Sequence, residues 1–340
     1  MLKETINYYH NYNSPVYVCF LDATKAFDRV NHWLLFKKLI HRGIPKYVVR
    51  ILLVWYRTQR FFTQWGGARS SLFSVGNGVR QGSILSPYLF NVYMDDLSSQ
   101  LKSCYKGCNI GGRMINHLMY ADDLALICPS IAGLRSLVSI CEMYGVDHDI
   151  IFHPKKSKCI YFMPRKCLIR VECLPSVRVG DKPLSIVHEH SYLGYTLTDS
   201  IHDDSAIKRQ MKCFYSQANM LLRKFPHCTI EVKATLFRTF CSNMYCSQLW
   251  SLYNKKCLNN LRVGYNNAFR ILMGYSHDCS ASRMFVQHTV PTFAALRRKL
   301  MYNFFKRIEN SQNSLIAAVL NSDTILYSGI HKLYRDLLYF

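Results

Sequence analysis

Long hydrophobic runs are missing from this chain of 340 residues. A helix that spans a bilayer needs about 18 consecutive apolar residues, and the most apolar candidate, Tyr47–Tyr56, is interrupted by Arg50. The first residues include no apolar signal segment, so we expect a protein that is not secreted. Internal repeats and low-complexity tracts are missing too. These absences predict no membrane partner and leave a folded chain long enough for two domains.

Acidic residues are scarce in the chain. It has 21 Asp and Glu against 43 Lys and Arg, a formal net charge of +22 and a pI of about 9.5. Such a surface attracts phosphate backbones, so we expect a polyanionic partner. The imbalance is strong over 201–310, where 17 Lys and Arg stand against 5 Asp and Glu. Solvated helix faces normally carry charges of both signs, whereas this region is mostly positive. We therefore expect Lys208, Arg209 and Lys212 to contact nucleic acid.

Zinc and disulfide patterns are missing although the chain has 14 cysteines. No two cysteines have the C-x-x-C spacing, and the close pairs Cys104/Cys108 and Cys241/Cys246 have no pair of histidines to complete a zinc site. Most cysteines have apolar neighbours, which predicts small buried side chains in a reducing compartment. We therefore expect an intracellular protein of the nucleus or cytoplasm.

Three aspartates at the ends of apolar segments are the most informative residues. Asp22 follows the run Pro15–Leu21, whose β-branched and aromatic residues predict a buried strand. Asp122 and Asp123 lie between two short apolar segments, which predicts a turn between two strands. Carboxylates at adjacent strand ends can hold two Mg²⁺ ions for phosphoryl transfer. Turn aspartates are also common without any such role.

The remaining pattern combines strands and helices. Asp28 is expected to cap the helix that follows it. Beyond Asp204 the strand signals fade and long amphipathic helices are predicted. Upstream, apolar spacing and turn residues predict helices over 31–42, 45–57, 86–101 and 130–144, and strands over 61–65, 71–75 and 158–162.

Five segments resemble, in the same order, the motifs of the reverse transcriptases of non-LTR retrotransposons. The resemblance implies an α+β fold, a right-hand polymerase palm with an antiparallel sheet backed by helices, followed by a helical thumb and C-terminal region. The implied boundaries are 1–200 for the palm with partial fingers, 201–255 for the thumb-like helices and 256–340 for the C-terminal region. The five segments are Phe20–Val30, Gly76–Pro87, Tyr120–Asp123, His153–Lys158 and Tyr192–Gly194.

The resemblance implies a catalytic role for three aspartates and a lysine. Asp22 and Asp122 would be bridging ligands of two Mg²⁺ ions, for which Mn²⁺ can substitute, and Asp123 would bind one ion or orient the pair. Lys156, or less favourably Lys155 or Lys158, would lie near the leaving phosphate. The alternative for these lysines is a basic strand edge.

The resemblance also implies binding roles. Phe27 would exclude a 2′-hydroxyl and so select deoxynucleotides, although a core phenylalanine is the usual role in apolar surroundings. Arg80 would contact the template or the triphosphate; the alternative is an arginine that contacts only solvent. The nucleotide-binding set is Phe27, Arg80, Gln81 and Gly82, and the primer-binding turn is Tyr192, Leu193 and Gly194, which an ordinary β-turn also explains.

The implied activity is RNA-directed DNA synthesis, which extends a DNA primer on an RNA template with deoxynucleoside triphosphates. No motif predicts an oligomeric state. The family's fingers and endonuclease normally precede the first motif, and only 21 residues precede Asp22 here. We therefore expect weak extension at most by this chain alone. The alternative is a truncated, non-catalytic remnant that at most binds nucleic acid.

Overall fold

A computed structural model describes residues 1–164, 174–320 and 329–338. The chain divides into two compact units. The sheet unit comprises Asn13–Asn109 and Met114–Val187. The helical unit comprises Met1–Tyr12, Ile110–Arg113 and His188–Phe340. The predicted boundaries at residues 200 and 255 stay predictions.

A five-stranded sheet forms the centre of the sheet unit. Its five strands are β1 (Val16–Asp22), β6 (His117–Tyr120), β7 (Asp123–Cys128), β8 (Lys158–Phe162) and β11 (Ser185–Ile186). They lie in the order β11-β8-β1-β7-β6. Strand β1 pairs antiparallel with β7 on one side and with β8 on the other, and β11 runs parallel to β8.

Strand β1 is in the middle of the sheet because its residues are apolar on both faces. All residues from Val16 to Leu21 are buried, and so are Leu124 to Cys128 of β7. Continuous apolar runs are typical of strands covered on both sides. The core on one face joins Cys19 and Leu21 to the helices behind the sheet. The predicted strand before Asp22 is confirmed.

Four α-helices of the described residues belong to the sheet unit, and the predicted helices agree with them. The helix over His32–His41 is capped by Asn31, whose side-chain oxygen accepts the backbone N–H groups of Trp33 and Leu34. Asp28 therefore does not cap this helix, and that prediction is wrong, because Asn31 lies at the first turn and satisfies its free donors. Helices α4 and α5 pack against the sheet. The helices are α2 (His32–His41), α3 (Lys46–Thr58), α4 (Ser86–Ser103) and α5 (Ile131–Asp147).

Short hairpins lie outside the central sheet. The strand predicted over 71–75 is wrong, because the hairpin pairs only close to its Gly66-Gly67 turn and at one bridge between Phe61 and Phe73. The hairpin strands are β2 (Gln64–Trp65), β3 (Ala68–Arg69), β4 (Cys108–Ile110), β5 (Arg113–Ile115), β9 (Arg178–Val179) and β10 (Lys182–Pro183).

The helical unit combines one β-hairpin with helices, as the amphipathic patterns beyond Asp204 predict. Helix α8 ends at Gly274 with φ 74°, a left-handed conformation that glycine adopts easily. A π-helical turn over Phe237–Cys241 follows α7 directly. The elements are α1 (Leu2–Asn11), β12 (Glu189–Tyr192), β13 (Tyr195–Thr198), α6 (Asp204–Lys224), α7 (Ile230–Leu236), α8 (Lys255–Met273), α9 (Ala281–Gln287), α10 (Phe293–Glu309), α11 (Ser314–Leu320) and α12 (Gly329–Leu338).

A buried ion pair connects four parts of the helical unit. Lys3 of α1 and Asp203, just before α6, are 7% and 1% exposed and form a salt bridge. The Lys3 ammonium also donates to the Tyr195 hydroxyl and to the Leu249 carbonyl. The other Asp203 oxygen accepts the backbone N–H groups of Ser251 and Leu252 at 2.7 and 2.9 Å. This cluster, the Lys3–Asp203 pair, fixes α1, β13 and α6 to the segment before α8.

Two expected absences concern membranes and disulfides. Within the described residues, no helix is both long enough and apolar enough to cross a bilayer. The cysteines of the described part are free thiols, and six of them are buried. Burial raises the pKa of the Cys241 thiol to about 12, which keeps it protonated. The six buried cysteines thus behave as the small apolar side chains that the sequence predicts, whereas Cys213 is exposed; Cys167 and Cys173 lie outside the described residues.

Candidate active site

The three aspartates lie together at one end of the central strands, where β1 ends and β7 begins. This end of the sheet is called the aspartate edge. Asp22 is the last residue of β1 and is directly opposite Asp123, the first residue of β7. Opposite residues of an antiparallel pair lie on the same face with their Cβ atoms about 5 Å apart. Asp122 occupies the two-residue turn between Tyr120 and Asp123, after Ala121 with φ 51°. A positive φ is uncommon for alanine, and such strain occurs most often at functional sites.

The charges of these carboxylates act on one another. The pKa of Asp123 is raised above its usual range by partial burial and by the negative charges of Asp122 and Asp22. Among the ion pairs of the described residues, the one that involves these aspartates joins the Lys156 ammonium to an Asp22 oxygen at 3.8 Å. Both side chains of that pair are exposed, so the attraction is weak. The edge of the sheet therefore has an excess of negative charge.

The donor set at this edge suits a hard divalent cation. Carboxylate oxygens are what Mg²⁺ and Mn²⁺ prefer, and like charges this close favour cation binding. In the described residues, however, no three His, Cys, Asp or Glu side chains converge closely enough to hold a metal ion. The residues fit the ion in chemistry and in sheet position.

The backbone of Asp22 is fixed by the segment before β8. Its N–H donates to the hydroxyl of Ser157 at 3.1 Å, and its carbonyl accepts the N–H of His153 at 2.8 Å. Ser157 is fully buried, so its hydroxyl is held in place. None of the sequence motifs indicates a role for Ser157. Its position between two lysines at the start of a buried strand was the available signal, since a serine there needs a hydrogen-bond partner.

Phe27 begins a short 3₁₀ turn, Phe27–Arg29, five residues after Asp22 in the sequence. Its ring stacks on Phe90 of α4, with centroids 4.5 Å apart and an angle of 10° between the planes. Its carbonyl accepts the N–H of Val79 at 2.7 Å. Gly78 next to Val79 has φ 92°, and a Cβ there would lie 2.8 Å from the Asp28 carbonyl oxygen. The loop before α4 therefore approaches the Phe27 turn so closely that only glycine fits.

Gln81 and Asp28 belong to the two segments that meet where Gly78 approaches the Phe27 turn: Gln81 to the loop before α4, and Asp28 to the turn. The Gln81 side-chain amide donates to an Asp28 oxygen at 3.4 Å, and both side chains line a cavity of ≈ 400 Å³. Arg80 lines the same cavity and is exposed. Gly82 follows with φ 82°. The predicted nucleotide-binding residues of this loop are thus close together, next to the Phe27 turn.

The predicted primer-binding turn belongs to the helical unit. Tyr192 and Tyr195 pair across the hairpin, and Leu193 and Gly194 form its two-residue turn with φ 46° and 77°. The hydroxyl of Tyr245 donates to the Leu193 carbonyl at 2.9 Å. A Cβ at Gly194 would lie 2.9 Å from the Tyr245 ring. Tyr245, which sequence analysis missed, fixes the conformation of this turn.

The predicted nucleic-acid-binding residues lie on helix α6. Lys208, Arg209 and Lys212 are all exposed. The Arg209 guanidinium donates to the hydroxyls of Ser191 and Thr196, so it also connects α6 to the hairpin of the primer-binding turn. Their contacts with phosphates stay a prediction.

The family model for reverse transcriptase (RNA-dependent DNA polymerase) matches residues 2–197. The RNA-directed DNA polymerase from mobile element jockey of Drosophila funebris is 24% identical over 310 residues, 87% of this chain and 32% of that protein. The Pol polyprotein from type-2 retrotransposable element R2DM of Drosophila melanogaster is 33% identical over 205 residues, 56% of this chain and 18% of that protein. The telomerase of Candida tropicalis, solved with a fragment of telomeric RNA, aligns with 99% of this chain and 49% of that chain at a TM-score of 0.44 and 13% identity.

The chain thus spans less than a third of the length of these two curated relatives. The matched region contains the aspartate edge, the Phe27 turn and the primer-binding turn. Because the family model covers more than half of the residues, the predicted resemblance and the α+β fold class are confirmed. The chain belongs to the reverse transcriptase (RNA-dependent DNA polymerase) family.

Proposed function

We propose that the chain is the polymerase part of a non-LTR retrotransposon reverse transcriptase. It extends a DNA primer on an RNA template with deoxynucleoside triphosphates. The observation that supports this most is the pairing of Asp22 with Asp123 across β1 and β7, with Asp122 in the adjoining turn. The family relationship gives this carboxylate edge its chemistry. Its surroundings supply the other parts that nucleotidyl transfer needs.

Asp22 and Asp122 would hold the divalent cations, and Asp123 would add charge to the same edge. When bound, two such ions activate the primer 3′-oxygen and neutralise the leaving pyrophosphate. Ser157 and His153 keep the Asp22 backbone in place from both sides. Catalysis of phosphoryl transfer depends chiefly on such positioning and on charge. Lys156, which lies beside Asp22, supplies a positive charge for the leaving phosphate.

The Phe27 turn and the loop before α4 bind the incoming nucleotide. Phe27 is held by its stacking on Phe90 and by the Val79 N–H, so its ring has little freedom to yield to a larger sugar. Gln81 offers a donor and an acceptor, and Gly82 permits close approach of the backbone. Arg80 adds a guanidinium for a phosphate group.

Nucleic acid is held by the helical unit in this proposal. Lys208, Arg209 and Lys212 contact phosphates of the template–primer duplex, and the Leu193-Gly194 turn supports the primer end. Tyr245 keeps that turn in its left-handed conformation. Phosphate contacts position a protein on its substrate without reading sequence, which suits a polymerase.

Primer extension tests the proposal. The chain is mixed with a labelled DNA primer annealed to RNA, deoxynucleotides and Mg²⁺ or Mn²⁺, with the protein in excess over primer. Extension that requires the metal, the template and all four nucleotides supports it. The complete absence of extension, with primer binding retained, supports the alternative of a non-catalytic remnant. The finding that favours this alternative is that no three carboxylates of the described residues converge.

The Phe27→Ala variant is expected to incorporate ribonucleotides. Without the ring, nothing collides with a 2′-hydroxyl, so the preference for deoxynucleotides should fall by roughly tenfold or more. Extension with deoxynucleotides should persist, because the ring excludes the 2′-hydroxyl of a ribonucleotide and takes no part in the reaction itself. The measurement is the ratio of incorporation rates for the two sugars. Phe27→Tyr, which keeps the ring, is the control and should keep the preference; an unchanged ratio in Phe27→Ala refutes this role.

A further inference from the structure

The hairpin between α3 and α4 lies in a stretch of chain without acidic residues. No Asp or Glu occurs between Asp28 and Asp95, while ten Lys and Arg do. A surface segment of this length normally mixes both signs. The stretch therefore contributes positive charge only, and of its cations the roles proposed above use Arg80 alone.

The hairpin projects from the sheet unit with little packing of its own. Phe61 and Phe73 exchange two backbone hydrogen bonds of 2.9 Å at its base, and Gly66 and Gly67 form its tip with φ 52° and 87°. Every residue from 62 to 77 is exposed. A two-stranded hairpin on its own is marginally stable in water. Contact with a partner would therefore stabilise this exposed hairpin. Residues 57–75 are called the basic arm below.

Aromatic and guanidinium groups share the surface of the basic arm. Trp65 is 88% exposed at the tip. The Arg69 guanidinium lies 5.0 Å from the centroid of the Phe62 ring, an exposed side chain as well. Within the described residues, no carboxylate forms an ion pair with Arg57, Arg60 or Arg69. These cations are thus available to an anionic partner.

We propose that the basic arm binds single-stranded nucleic acid. Bases stack on Trp65 and on the Phe62–Arg69 pair, and the arginines contact the backbone phosphates. Stacking on aromatic rings tolerates any sequence, because every base has a flat face, and a basic groove or strip tracks the backbone. A polyanion suits the arm better than a protein partner, because the stretch around it has no acidic residue and the whole chain has a formal net charge of +22. The base of the arm also lines the cavity that contains Gln81, through Phe61 and Val75, so a bound strand continues toward that loop.

Binding of labelled oligonucleotides tests the proposal without any use of polymerase activity. Affinities are measured by fluorescence anisotropy for a single-stranded RNA and for the same sequence as a blunt duplex. Trp65→Ala should weaken single-strand binding about tenfold, the effect of losing one stacked base. Trp65→Phe should keep most of the affinity. Arg69→Ala should lower the slope of log affinity against log salt by about 0.7, one phosphate contact on a single strand.

The control is Tyr105→Ala, which removes an aromatic side chain that is 86% exposed in the same unit but outside the acid-free stretch. It should leave binding unchanged. The proposal is overturned if Trp65→Ala binds single strands normally, if it loses duplex affinity equally, or if the control loses as much. It is also overturned if Trp65→Ala abolishes self-association of the chain while RNA affinity stays the same, since the arm would then bind a second copy.

Discussion

Asp122→Asn is expected to lose primer extension by roughly 10²–10³-fold, the cost of removing one charged group from the place where charge develops. The asparagine keeps the size of the side chain and the turn between β6 and β7. It removes a negative charge from an edge where burial and two neighbouring carboxylates already raise the pKa of Asp123. The fold should therefore be as stable as before, because repulsion between like charges is relieved. The measurement is the single-turnover extension rate with Mg²⁺ on an RNA template.

Asp147→Asn is the matched control for that result. Asp147 is an exposed aspartate at the end of α5 in the same unit, and its loss should leave extension unchanged. Thermal unfolding of both variants shows whether a loss of activity comes from unfolding. Extension by Asp122→Asn at the rate of the unsubstituted chain would mean that the aspartate edge is not the active site.

Asp203→Asn is expected to destabilise the helical unit by about 3–5 kcal/mol, because it leaves the buried ammonium of Lys3 without its charged partner. Burial lowers the pKa of Lys3, and the negative charge of Asp203 opposes this effect. An asparagine oxygen can still accept the N–H groups of Ser251 and Leu252, so the change isolates the ion pair. Urea unfolding followed by Trp250 fluorescence reports on this unit, since Trp250 is its only tryptophan and is buried. The three other tryptophans are replaced by phenylalanine for this measurement.

The double variant Lys3→Met with Asp203→Asn should lose less stability than either single variant. Replacing both members of a buried ion pair removes the uncompensated charge that each single change leaves behind. Asp199→Asn is the control: Asp199 pairs with the exposed His188, and an exposed pair contributes at most about 1 kcal/mol. Additive losses in the double variant would show that Lys3 and Asp203 do not stabilise the unit as a pair.

The aspartate edge could be predicted from the sequence because local pattern determines it. The apolar run before Asp22 forms the central strand β1, and the short segments around Asp122 and Asp123 form β6 and β7. The pairing of Asp22 with Asp123 follows from the antiparallel register. The family motifs supplied the chemistry of these residues, which strand pattern alone does not.

Other features depend on contacts between distant parts of the chain, and the sequence did not predict them. Lys3 and Asp203 are 200 residues apart, and nothing local marks either as buried. Ser157 and Tyr245 act on backbone groups of Asp22 and Leu193, which no pattern of side chains indicates. The strand predicted over 71–75 does not form, because a contact with a partner strand is missing. Its residues favour a strand, but they are exposed and have almost no partner strand to pair with.

Binding of Mn²⁺ to the protein, titrated by electron paramagnetic resonance, tests the central claim that the carboxylates at the β1–β7 edge form one cation site. The unsubstituted chain should bind Mn²⁺, and Mg²⁺ should displace it. The double variant Asp22→Asn with Asp122→Asn should lose affinity by roughly 100-fold or more, since changes even in the groups around ligands cost 10–100-fold, while Asp147→Asn should bind as before. Equal Mn²⁺ affinity in the double variant and the unsubstituted chain would contradict the account.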